Sequence, residues 1–201
     1  LNNEDSGSGY RRVSSIENVT DNCRYDMQYY AQTDPTKEGI SVKTKVDTAT
    51  GQTIEEYVYY ETASNETTGR MHTKEVMDEH DPNGNGTPDD AEDMASELYE
   101  KHVKYYLKDE DSEAEAEKDY GRMYRLDNLT DSWYYSIEYW DETDPLNHAI
   151  KIKTKSELVT GEWLETYEYY ENGRLSKHEI KSETEEGELQ GKHVAYYYKD
   201  E

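Results

Sequence analysis

The chain has 201 residues and a formal net charge of −25, from 47 acidic against 22 basic side chains. That imbalance repels phosphate backbones and excludes nucleic acid as a partner. A single cysteine, Cys23, excludes an intrachain disulfide and reads as a small buried hydrophobe. The 21 Tyr and 3 Trp supply enough aromatic surface for a folded core, against the disorder that such acidity often accompanies. No apolar run approaches the length of a membrane-spanning helix.

Taken from its start, the sequence opens at Leu1 and runs through a polar leader, residues 1–9. This is the start expected of a mature chain cut from a signal segment, and equally of a trimmed one. The rest is written twice. Tyr10, Asn18, Thr20 and Asp21 recur as Tyr120, Asn128, Thr130 and Asp131. Thr33-Asp34-Pro35, Lys43-Thr44-Lys45, Thr50-Gly51, Tyr57, Tyr59 and Tyr60 recur as Thr143-Asp144-Pro145, Lys153-Thr154-Lys155, Thr160-Gly161, Tyr167, Tyr169 and Tyr170, always 110 residues later. Lys101-His102-Val103 and Tyr105-Tyr106 then match Lys192-His193-Val194 and Tyr196-Tyr197 at a spacing of 91, so the first copy carries an insertion between Tyr60 and Lys101. The fold expected is mainly β: two tandem antiparallel modules from an internal duplication, over residues 10–108 and 120–201, joined by an acidic linker at 109–119.

Within each copy the period-two pattern marks about five strands. Tyr25, Met27 and Tyr29 alternate with polar residues, as do Tyr135, Ile137 and Tyr139. Ile40, Val42, Thr44 and Val46 are expected on a buried face, with Lys43 and Lys45 on a wet one; Ile150, Ile152 and Thr154 repeat this against Lys151, Lys153 and Lys155. Further strands fall at Ile54–Tyr60 and Leu164–Tyr170, Arg70–Val76 and Arg174–Lys181, and His102–Leu107 and His193–Tyr198. Asn172-Gly173 reads as a two-residue hairpin turn, both positions tolerating positive φ. Of each tyrosine pair, one ring is expected to enter the core and the other to face out, building cross-strand aromatic ladders.

The insertion holds the chemically specific stretch, Asp81 to Glu92. Oxygen-bearing side chains stand at loop positions 1, 3, 5, 9 and 12 (Asp81, Asn83, Asn85, Asp89 and Glu92), with Gly86 at position 6 and the Thr87 carbonyl at 7. That is the spacing by which an EF-hand loop wraps Ca²⁺ in hard oxygens, the final Glu gripping with both. Pro88 lacks the N–H that pairs two EF-hands. A helix is expected next, capped by Thr87 and docked through Ala91, Met94, Ala95 and Leu98. His80 is a candidate for a second metal. The 81–93 stretch resembles the calcium loops of thrombospondin type 3 repeats, which implies a structural, extracellular calcium site. Tyr169-Tyr170-Glu171-Asn172-Gly173-Arg174-Leu175, with Gly191-Lys192 and Tyr196-Tyr197-Tyr198, resembles the MORN-like hairpin repeats of bacterial proteins over residues 169–198.

Asn18, Asn65 and Asn128 head glycosylation sequons, although Asn and Thr also suit turns on their own account. All three tryptophans, Trp133, Trp140 and Trp163, lie in the second copy, where they are candidates for stacking on sugars. No nucleophile elbow, phosphate loop or zinc motif occurs, so the expectation is a protein without enzymatic activity. The leading expectation is a secreted or cell-surface, calcium-stabilised structural or adhesion protein that self-associates, as the subunit of a filament or matrix. The alternative is a carbohydrate-binding module using the Trp and Tyr rings of the second copy.

Overall fold

The computed structural model describes residues 12–30, 39–60, 70–82, 88–89, 91–108, 121–142, 148–184 and 188–199. The leader, the acidic linker, Asn65, Asn83, Asn85 and Thr87 lie outside these residues. The chain divides into two compact units, Leu1–Gly121 and Arg122–Glu201. In the first, β1 (Ser15–Asn18), β2 (Cys23–Tyr29), β3 (Ile40–Asp47), β4 (Thr53–Tyr59), β5 (Met71–Val76) and β6 (Val103–Leu107) pair in chain order as an antiparallel meander. In the second, β7 (Met123–Asn128), β8 (Trp133–Tyr139), β9 (Ile150–Glu157), β10 (Trp163–Tyr169), β11 (Leu175–Ile180) and β12 (Val194–Tyr197) do the same. The first strand of each unit escapes the sequence pattern: β1 has four residues, too few to display a period, and in β7 the polar Arg125, Asp127 and Asn128 interrupt the apolar alternation.

The two meanders agree in register as well as in order. Cys23 faces Asp47 and Trp133 faces Glu157, and the ladder shifts at Gln28/Tyr29 in one unit and at Glu138/Tyr139 in the other. The Tyr29 hydroxyl donates to the Val13 carbonyl at 2.8 Å, and that of Tyr139 donates to Met123 at 2.7 Å. Turns repeat too. Gly51 and Gly161 take φ +73° and +72°, each donating its N–H back to the carbonyl four residues earlier. Antiparallel order follows from such short turns, since they allow only hairpin reversals.

Two sequence expectations about this sheet need correction. Residues opposite one another in an antiparallel ladder share a face. Lys45 lies opposite both Tyr25 and Glu55, and Lys43 opposite Met27 and Tyr57. The lysines therefore stand on the face that carries Cys23, Val76 and the wholly buried Val103. Their aliphatic stems pack among rings and their ammonium groups lie over them: Lys43 sits 4.4 Å from the Tyr57 centroid, and Lys155 4.2 Å from that of Trp133. Lys45 adds an ion pair with Glu55 at 2.7 Å. Thr44 and Val46 belong to the opposite face, with Asp26 and Arg24, and Val46 is buried there as expected.

The second correction concerns Asn172-Gly173. The N–H of Tyr170 donates to Arg174 and that of Gly173 to Tyr170, both at 2.8 Å, while only Gly173 has positive φ, at +84°. This is a three-residue loop, a type I turn closed by a left-handed glycine. Asn172 serves through its side chain, accepting the Arg174 N–H at 3.0 Å.

Candidate metal loop and its stem

The insertion hangs between β5 and β6, and what holds it there is a carboxylate the sequence pattern did not single out. Glu79 is almost wholly buried. Its N–H donates to the Lys101 carbonyl at 3.0 Å and its carbonyl accepts Glu100 N–H at 2.8 Å, which closes the stem. Its side chain is equally engaged: one oxygen accepts the Tyr105 hydroxyl at 2.8 Å, the other the N–H of Asp81 at 3.1 Å. Burial, reinforced by the Glu79 charge, pushes the Tyr105 hydroxyl well above the ordinary tyrosine range, so it stays a donor.

A similar clasp occurs between β11 and β12, except that its second carboxylate bond goes to the very next residue rather than to the one after it. Glu183, also buried, donates to Lys192 at 2.9 Å and accepts Gly191 N–H at 2.8 Å, while its carboxylate accepts the Tyr196 hydroxyl and the N–H of Thr184, both at 2.9 Å. The sequence signal for it is a third spacing: Glu75 and Glu79 recur 104 residues later as Glu179 and Glu183. One difference is strain. Gly191 takes φ +72°, whereas its counterpart Glu100 takes φ +54° with a side chain attached. A left-handed non-glycine residue costs about 1–2 kcal/mol, part of which glycine returns as lost unfolded-state restriction. Glu100→Gly is therefore expected to stabilise the first unit by about 0.5–1 kcal/mol in chemical denaturation, and Gly191→Ala to destabilise the second.

Of the six expected ligands, the described residues include Asp81, Asp89 and Glu92. Asp81 is half-buried at the stem, beside Glu79, while Asp89 and Glu92 are exposed. Asp89 has φ +65°, and one of its oxygens meets His80 Nδ1 at 2.7 Å and the Tyr99 hydroxyl at 2.8 Å. The hydrogen bond to Asp89 pushes the Tyr99 hydroxyl up to about 12. His80 also lies 3.2 Å from Asp78 through its other nitrogen, and its pKa is raised, by the Asp89 bond above all. With both ring nitrogens so occupied, His80 acts as a tie within the loop, and the second-metal reading has no support from its surroundings. Among the described residues no three His, Cys, Asp or Glu side chains gather as a metal group.

The expected docking helix is not formed as read. α1 is one turn, Ala91–Met94; Met94 is 56 % exposed, Ala91 and Ala95 are exposed, and the buried residue is Asp93, with no exposure at all. The apolar spacing lacks the length to make a docking face, and a carboxylate turns inward instead.

The remaining site residues part company. Asn18 and Asn128 each hold a turn: their side-chain oxygens accept the N–H of Asp21 (3.2 Å) and Asp131 (2.8 Å), and their amides donate to the same aspartates at 2.7 and 3.0 Å. Asn128 is fully buried, so its amide has no room for a glycan; Asn18 is half-buried in the equivalent turn. Trp133 is a core residue, edge-on to Tyr135 at 5.0 Å; Trp163 is half-buried against His193 at 5.4 Å; Trp140 stands 42 % exposed, 5.6 Å from the Lys151 ammonium. The three rings therefore do not build one sugar-stacking platform.

No helix among the described residues is long and apolar enough to cross a membrane. Comparison of the chain with protein-family models, with curated proteins and with solved structures finds no match.

Proposed function

We propose that the chain is a non-enzymatic structural or adhesion protein of the cell surface or extracellular space. It consists of two copies of one β module, and the first copy is stabilised by a single Ca²⁺ in the Asp81–Glu92 loop. One observation carries this reading. Both units close the same strand connection with the same buried glutamate, Glu79 or Glu183, yet only the first extends it into a longer excursion with calcium-ligand spacing. Asp81, Asn83, Asn85, Asp89 and Glu92 would hold the ion with their side chains and Thr87 with its carbonyl. Every donor is a hard oxygen, the set Ca²⁺ selects and softer metals do not.

Bound Ca²⁺ neutralises charge where an acidic chain has most to gain. It also stabilises the folded chain that binds it, by an amount that grows with the free calcium concentration. Titration calorimetry is expected to find one site per chain with a Kd of about 10⁻⁴–10⁻³ M, the range of extracellular modules. Glu92→Ala removes the bidentate ligand and is expected to abolish uptake; equal uptake by both proteins would sink the assignment.

Self-association is the mode of action this reading carries, because a chain of net charge −25 repels its own copies until divalent ions screen or bridge them. Light scattering with calcium and with chelator measures it directly, and a monomer under both conditions at high concentration ends the idea. The glycan-binding reading now rests on Trp140 alone. Loss of glycan-array binding on Trp140→Ala would support it.

A further inference from the structure

The turn between β10 and β11 carries a dipeptide prone to spontaneous backbone chemistry. In an Asn-Gly pair no side chain on the glycine hinders attack by its nitrogen on the asparagine amide carbon. The Gly173 nitrogen bonds to Asn172 Cγ, the Cγ–Nδ2 bond breaks, and ammonia leaves carrying the glycine proton. Water then opens the five-membered imide at either carbonyl, giving aspartate or isoaspartate, each with one new carboxylate. Asn172 is exposed, so water and base reach it. The turn, however, holds both reacting groups in the wrong arrangement. The Gly173 N–H donates to the Tyr170 carbonyl at 2.8 Å, and Asn172 Oδ1 accepts the Arg174 N–H at 3.0 Å. The Tyr170 N–H, donating to the Arg174 carbonyl at 2.8 Å, closes the loop behind them. Asn172 is the third residue of the type I turn, where ψ is about 0°, and the imide forms only with ψ turned far from that value.

We propose that Asn172 is a modification site gated by this hairpin: its conversion to aspartate or isoaspartate is blocked in the closed turn and proceeds when β10 and β11 part. Opening frees the Gly173 N–H and lets Asn172 ψ rotate, so the reaction captures the opened hairpin. The two products differ in consequence. Aspartate keeps an oxygen where Oδ1 accepts the Arg174 N–H. Isoaspartate routes the main chain through the side-chain carbon and adds one backbone atom to the three-residue loop. Tyr169 and Leu175, paired across the ladder beside the turn, then no longer meet in register. A transient opening thereby becomes a permanent one.

The test is ageing of the full chain in mildly alkaline buffer, folded and in urea, with circular dichroism to verify the folded state. Peptide mass spectrometry measures the conversion at position 172. Asn83-Gly84 and Asn85-Gly86 in the urea sample give the rate of an unshielded Asn-Gly pair in the same chain. Asn172 is expected to react as fast as these in urea and at least about tenfold more slowly in the folded chain. Equal rates at Asn172 in the two conditions overturn the proposal. Asn172→Asp is expected to keep the wild-type urea midpoint, whereas aged protein enriched in isoaspartate at 172 is expected to unfold at lower urea. An unchanged midpoint for the isoaspartate form, or an equal loss in Asn172→Asp, overturns the link between this modification and strand register.

Discussion

Replacing Trp133 by alanine is expected to cost about 3–5 kcal/mol, the range for deleting a large aromatic side chain from a core. The indole lies at 7 % exposure, edge-on to Tyr135 and beneath the Lys155 ammonium. Its loss leaves a cavity and also strips Lys155 of the ring that makes its half-buried position tolerable. Trp140→Ala, at an exposed ring, is expected to stay within about 0.5 kcal/mol. Urea unfolding followed by circular dichroism separates the two, and equal costs would mean that Trp133 does not sit in the core of the second unit.

The second large effect is expected at Asn128. Alanine there removes the acceptor for the Asp131 N–H and the donor to the Asp131 carboxylate, and vacates a side-chain site that has no exposure of its own. Each lost bond is worth about 0.5–1.5 kcal/mol and the buried gap adds to it, so Asn128→Ala is expected to cost about 2–3 kcal/mol. Asn18→Ala makes the same change in the equivalent but half-exposed turn, where water takes over the lost bonds, and is expected to cost about 1 kcal/mol. A larger cost at Asn18 would contradict the burial argument. In glycosylating cells, peptide mass spectrometry of the folded protein is expected to find Asn128 unmodified.

Much of the fold was legible in the sequence because tyrosine alternation and the spacing of 110 locate β2, β3 and β4 and their partners β8, β9 and β10 within a residue or two. Facing was harder to read. Lysine in alternation with valine reads as a wet face, yet Lys43, Lys45, Lys153 and Lys155 lie among tyrosine rings and carboxylates, which alternation alone does not reveal. Spacing likewise suggested an apolar stripe at Ala91, Met94, Ala95 and Leu98, but α1 ends after one turn and Asp93 takes the inward position. The Asn-Gly pair announces a tight turn without stating whether the loop has two residues or three. Loop ligands were visible as types at intervals, whereas Glu79 stands outside the motif and becomes visible only through its copy at Glu183.

The most direct test of the whole account is backbone hydrogen exchange on the full chain, in saturating Ca²⁺ and in chelator. Two copies of one module, with the ion in the first, predict a rise in protection at Met71–Val76 and Val103–Leu107, the strands that flank the Glu79 stem. The equivalent strands Leu175–Ile180 and Val194–Tyr197 should exchange at the same rates in both conditions. Protection that does not change in either unit, or that rises equally in both, would contradict the account.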